Sequence, residues 1–211
     1  MKPLAKAVVL GLVSLVCFFF ATTIWAQQTL VTFDDLPDPG TNTLVIPVGY
    51  NGLNWLSFRY MDPVLRYRSH SSGYQAGVVS PNYVAYNSGG SSASITNAVP
   101  FNFISAYLTA AWNDNLQVEV MGYVGISLTY SNTYTLSATD PTLINFNYLG
   151  VDNVHFDSFG GTKHTGYGGT GEQFAMDNLT IAVPEPCSAV LVTLGSTLLL
   201  FCRIKRNASL R

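Results

Sequence analysis

Between Gln27 and Ala182 the chain has no cysteine; Cys17, Cys187 and Cys202 all sit in apolar stretches near the two ends. That absence removes a disulfide framework from the middle section and with it any thiolate nucleophile. Basic residues are nearly as scarce. Arg59, Arg66, Arg68 and Lys163 stand against eleven carboxylates in this section, a net charge of −7. Such a surface repels phosphate backbones, so nucleic acid is not an expected partner, whereas cations are favoured. The one basic patch, Arg66-Tyr67-Arg68 before Ser69-His70, reads as a solvated strand end. Charged residues make up only 10% of the chain while 48% is hydrophobic. This balance suits one ordinary domain plus apolar segments outside its core.

Those segments are terminal. Lys2 and Lys6 precede an uncharged stretch from Ala7 to Phe20, and Ala-Thr-Thr-Ile-Trp-Ala follows before Gln27. This is the order of a secretory signal, so residues 1–26 are expected to form a signal peptide cut after Ala26. Ile24 is larger than the small residue usual at that place, which leaves an uncleaved anchor as the alternative. Val16 is too bulky for the residue a lipobox wants before Cys17. At the other end, Cys187 to Phe201 is apolar or small, and Arg203, Lys205, Arg206 and Arg211 follow. As a helix, Cys187 to Cys202 would span about 24 Å, short of the ~20 residues that cross a bilayer comfortably. A processing signal fits that length better than a permanent anchor. Positive charge on the far side of both segments puts the section between them outside the cell.

Val183-Pro184-Glu185-Pro186, an apolar helix and a basic cluster follow one another in the order of the PEP-CTERM sorting signal, which residues 183–211 resemble. The resemblance implies recognition by exosortase, a membrane cysteine transpeptidase of bacteria that make exopolysaccharide. Pro184, Glu185 and Pro186 would be the processing site, Cys187 to Cys202 the retaining helix, and Arg203, Lys205 and Arg206 the stop-transfer charges. The protein would pass transiently through the inner membrane to the outer surface or extracellular matrix. A stiff proline linker into a tail anchor is the plainer alternative. The exported section is also similar to a group of PEP-CTERM proteins with a Phe-Asp-Asp-Leu-like first strand, here Phe33 to Leu36, and an Asp-Asn-Leu-Thr-Ile-like last strand, here Asp177 to Ile181. That group implies no activity.

From Thr29 onward, short runs rich in Val, Ile, Tyr, Phe and Thr are cut by turn residues about every ten positions, and no helical stripe appears. The pattern predicts an all-β domain over 27–182, a jelly-roll-like antiparallel β-sandwich of about ten strands. Expected strands are Thr29–Phe33, Trp55–Tyr60, Tyr83–Tyr86, Phe101–Ala111, Leu116–Val120, Tyr134–Ser137, Leu143–Tyr148, Val154–Phe159 and Phe174–Ile181. In the last, Phe174 and Met176 are out of phase with Leu179 and Ile181, which predicts a bulge at Asp177-Asn178. Ser158 to Gln173, with six glycines, is expected to be a mobile loop and lacks the ending of a phosphate cradle.

Catalytic signals are weak. There is no Gly-x-Ser-x-Gly elbow, and His70, His155 and His164 match no zinc spacing. Glu119 and Glu172 are the only glutamates available to a glycan hydrolase, and neither has a motif around it. The domain is therefore expected not to be an enzyme. Trp112-Asn113-Asp114-Asn115 combines a ring for stacking on a sugar with groups that bond its hydroxyls, so Trp112, Asn113 and Asp114 are the candidate glycan-binding residues. The competing reading is a core tryptophan followed by a hairpin turn. Asp34, Asp35 and Asp177 would meet if the domain's first and last strands adjoin, and are the candidate ligands of a structural Ca2+. Overall the sequence points to an exported, non-enzymatic surface or matrix protein that binds exopolysaccharide or another glycan. The alternatives are a purely structural surface or biofilm protein and, further off, a glycan hydrolase.

Overall fold

The computed structural model describes residues 27–183; the expected signal peptide and the sorting signal from Pro184 onward lie outside the described residues. Twelve strands are present: β1 (Gln27–Val31), β2 (Leu44–Val45), β3 (Asn54–Leu56), β4 (Phe58–Met61), β5 (Val84–Asn87), β6 (Ala93–Ala110), β7 (Asn113–Asp114), β8 (Leu116–Val124), β9 (Ser127–Leu136), β10 (Thr142–Phe159), β11 (Thr162–Lys163) and β12 (Phe174–Val183). Alternation is clearest in β8, where Leu116, Val118 and Val120 are buried and Gln117, Glu119 and Met121 are partly exposed. A strand that buries one face reads this way.

All but β7 and β11 belong to one antiparallel ladder, which is folded over into two layers by its two longest strands. β10 starts with Thr142 opposite Leu108 and reaches Phe101 at Val151. From Asn153 it pairs with β8 on one side and the start of β6 on the other. The reversal is made by register shifts between Asn145 and Asn153, with Asn147 at φ 53° and Gly150 at φ 66°. β6 bends in step: Ala93–Thr96 lies in the layer of β3, β8 and β9, and Phe101–Ala110 in that of β4, β5 and β12. The layers meet through aromatic rings. Phe156 packs 5.6 Å from Phe58, 5.6 Å from Phe174 and 5.9 Å from Phe103, and each such ring buries about 150–250 Å².

The structure thus shows an all-β sandwich, and it redraws several elements. The expected strand Trp55–Tyr60 breaks at Ser57, held at φ 61°, into β3 and β4, which pair in different layers. Leu143–Tyr148 and Val154–Phe159 are one bent strand. Tyr134–Ser137 extends back to Ser127, because a Ser/Thr/Tyr-rich edge has no apolar alternation to announce it. Among the described residues two single-turn α-helices appear, α1 (Pro63–Arg66) and α2 (Gly73–Ala76). Asp62 caps α1 by accepting from the Leu65 amide at 2.8 Å, and proline follows it at the first helical position. Four residues are too few to show a helical period.

The phase slip in β12 is resolved by a bulge. Pairing with β6 skips between Asp177 and Thr180, and Asn178 sits at φ 49°. Phe174, Met176, Leu179 and Ile181 all remain fully buried. These registers give the sandwich two distinct ends. One gathers the connections Ala111–Asn113, Ser137–Pro141 and Phe159–Gln173 together with the α1–α2 segment. The other gathers Gln27, Val183, the bends of β6 and β10, and the β8–β9 turn.

Candidate functional site

Trp112 lies at the loop end, two residues beyond the end of β6. The residue is 7% exposed, and its ring packs edge-on against Tyr67 and Tyr74, each at 5.5 Å. Met61, Val84, Tyr86, Ala111 and Ala175 complete this second apolar cluster. Trp112 is therefore not the open stacking platform expected of a sugar site. It closes a core, because the α1–α2 segment brings Tyr67 and Tyr74 onto it and the glycine-rich loop covers it. A methyl group at Gly169 would stand 2.7 Å from the Trp112 ring, and one at Gly168 would stand 2.2 Å from the His70 ring. At Gly169, where the indole is buried, only glycine permits such an approach.

The segment expected to be a mobile loop is bonded to its surroundings at several points. β11, within it, pairs with β7, so that Lys163 opposes Asn113 and Thr162 opposes Asp114. The His164 amide donates to the Trp112 carbonyl at 2.8 Å, the Gly160 amide to Glu172 at 2.8 Å and the Tyr167 hydroxyl to the Ala138 carbonyl at 2.7 Å. Asn113 is buried, with its amide nitrogen donating to the Gly160 carbonyl and its Oδ1 unpartnered.

Asp114 is the candidate that reaches solvent. Nδ1 of His164 lies 2.8 Å from each of its carboxylate oxygens. The Tyr167 ring lies 4.3 Å from the His164 ring, tilted by 49°, and its phenol is raised above the ordinary tyrosine value, first by burial and then by Asp114 and Asp140. Beside the pair runs an open groove of about 460 Å³ lined by Asp114, Asn115, Thr135, Leu136, Ser137 and Thr142. Asn115 belongs to the run that the sequence singled out, whereas Thr135, Ser137 and Thr142 carried no signal. Only the fold joins the β7–β8 turn to the β9–β10 connection, and hydroxyl residues on a strand end carry no motif.

The three carboxylates expected to hold Ca2+ have separate partners. Asp177 is fully buried and accepts from the Val79 and Ser80 amides at 2.7 and 2.8 Å, from the Ser80 hydroxyl at 2.9 Å and from the Asn178 amide at 2.7 Å. Asp34 accepts from the Tyr83 amide at 3.1 Å and Asp35 from the Tyr50 hydroxyl at 2.5 Å. Burial, with Asp35 adding to it, pushes the Tyr50 phenol well up. Among the described residues no three His, Cys, Asp or Glu side chains are grouped to hold a metal ion. β1 and β12 do adjoin, as the calcium reading required, and Asp177 faces inward and secures the Val79–Ser80 segment. The two glutamates are also apart in role: Glu119 accepts from Ser131 on β9, while Glu172 holds the glycine-rich loop.

No family model matches the chain, and no curated protein matches it. Among solved structures it is similar to a DUF4465 family protein from Bacteroides caccae, with TM-score 0.53 and 12% identity over 74% of this chain and 98% of that one. The likeness is one of fold. A family 16 carbohydrate-binding module aligns with TM-score 0.28 and 17% identity over 53% of this chain and 84% of its own. A second module, TmCBM61 in complex with β-1,4-galactotriose, aligns with TM-score 0.25 and 5% identity over 79% and 90%. At those scores neither carries an argument about the ligand of this chain.

Proposed function

We propose that the domain is a non-enzymatic glycan-binding β-sandwich, exported and sorted by its C-terminal signal, and that the groove beside Asp114 receives the glycan. One observation carries this reading. The groove combines a carboxylate, an amide and three hydroxyls around a single leucine in an open volume of about 460 Å³. Small-molecule sites of that size are ordinarily mostly apolar. A polar, open lining suits a ligand that is itself covered in hydroxyls. Binding is favoured over hydrolysis because Glu119 and Glu172, the glutamates of the domain, are engaged elsewhere.

The test is a glycan array followed by titration of the best polysaccharide against the protein and two variants, Asp114→Ala and His164→Gln. Removing a charged hydrogen-bonding partner costs about 1.5–3 kcal/mol, or roughly 10- to 100-fold in affinity. Asp114→Ala should show a loss of that order, and His164→Gln, which keeps the carboxylate, a smaller one. Equal losses in both would mean that the pair only holds the loop. Retention of no polysaccharide by the parent would leave the purely structural surface role in its place.

A further inference from the structure

The end of the sandwich opposite the groove holds both exits of the chain. Gln27 is the register partner of Val183, so the two continuations leave side by side. Ala182 pairs with Asn102, whose Oδ1 accepts from the Gly150 amide at 2.9 Å, and Asp152 accepts from the Gly125 amide at 2.6 Å. These bonds gather the bends of β6 and β10 and the β8–β9 turn around the exits. The tips are aliphatic where connections are normally polar: Val99, Val124, Ile126, Leu128 and Leu149 are all exposed, and Ile126 is 100% exposed. Asp152 is the one charged side chain on the bends 97–100 and 147–152 and the turn 124–127, and its carboxylate is bound to the Gly125 amide. Arg59, Arg66, Arg68 and Lys163 all lie on other elements.

We infer that this end seats on a lipid bilayer, with Ile126 and Leu149 entering the boundary between headgroups and acyl chains. An aliphatic cluster marks a contact surface, and the chain itself indicates which. Three residues, 184–186, separate Val183 from the apolar stretch 187–201. A chain reaches at most about 3.6 Å per residue, so Val183 stands within about 15 Å of the start of that stretch. Held so close, the tips meet the bilayer at a high effective concentration and shallow burial suffices. With no base among them, the contact needs neither anionic lipid nor low salt. The inference rests on the membrane step of the proposed sorting and is independent of the groove.

The experiment uses the full chain with Cys17, Cys187 and Cys202 replaced by serine, reconstituted in phosphatidylcholine vesicles. An environment-sensitive fluorophore is attached at Ile126→Cys or, at the exposed loop end, at Thr165→Cys. Flotation after alkaline extraction reports whether the chain is membrane-held. Spin-labelled lipid should then quench the probe at 126 about threefold or more beyond that at 165, with a blue-shifted emission that persists in high salt. Flotation with both probes equally in water overturns the docking and leaves the membrane step standing. Failure to float overturns both.

Discussion

Asp177 is fully buried, has four hydrogen-bond donors on it, and faces no base. Burial raises its carboxyl above the ordinary aspartate value, and the amides and hydroxyl of Val79, Ser80 and Asn178 pull it part of the way back. The side chain ties residues 79–80 to the bulge of β12 in a domain without a disulfide. Asp177→Ala strands three amide donors, so it should cost about 3 kcal/mol or more in a urea melt. The pH dependence follows from the same shift. A carboxyl with a folded pKa above its unfolded one binds protons more tightly when folded, so its contribution is complete below the unfolded value and declines as pH rises through the folded one. The stability gap between the parent and Asp177→Ala should therefore narrow from pH 4 upward. A gap that widened over that range would show that the four donors outweigh burial.

The glycine-rich loop behaves as a lid on Trp112, and its two adjacent glycines are not equivalent. A methyl at Gly169 meets the buried indole at 2.7 Å, with Tyr67 and Tyr74 packed edge-on against the ring. A methyl at Gly168 meets His70, an exposed side chain that can turn aside. Gly169→Ala should thus cost about 1–3 kcal/mol, the usual range for overpacking, and Gly168→Ala clearly less. Thermal melts of the two variants, read by tryptophan fluorescence, check the order. This lid also marks how far the sequence could be read. Period-two alternation in β8 and the phase slip in β12 are local signals, and both the buried face and the bulge could be found from them. Whether Trp112 is a platform or a plug depends on Gly169 and Tyr67, 57 and 45 positions away, and no local pattern carries that. The groove has the same property, since Asp114 and Thr142 become neighbours only through β8, β9 and the turn into β10.

Over the whole molecule, the last pairing of the sheet bears on sorting. Val183 closes β12 opposite Gln27, and the next residue, Pro184, has no amide hydrogen to extend the ladder. The described pairing therefore stops before Pro184, Glu185 and Pro186, and a processing enzyme needs its substrate segment free of a sheet. Replacing Pro184 and Glu185 with alanine should then leave the thermal melt of the domain unchanged, because the described strand pairing ends at Val183. On the sorting reading, the same variant is exported but accumulates unprocessed in the inner membrane, while the parent is processed and released to the surface. Both halves are needed, since a misfolded chain is also retained. Cell fractionation beside a melt of the purified variant separates the cases. Unaltered folding with parental processing would overturn exosortase recognition at Pro184 to Pro186 and leave the motif as a linker, whereas unaltered folding with retention would locate the recognition in the motif itself.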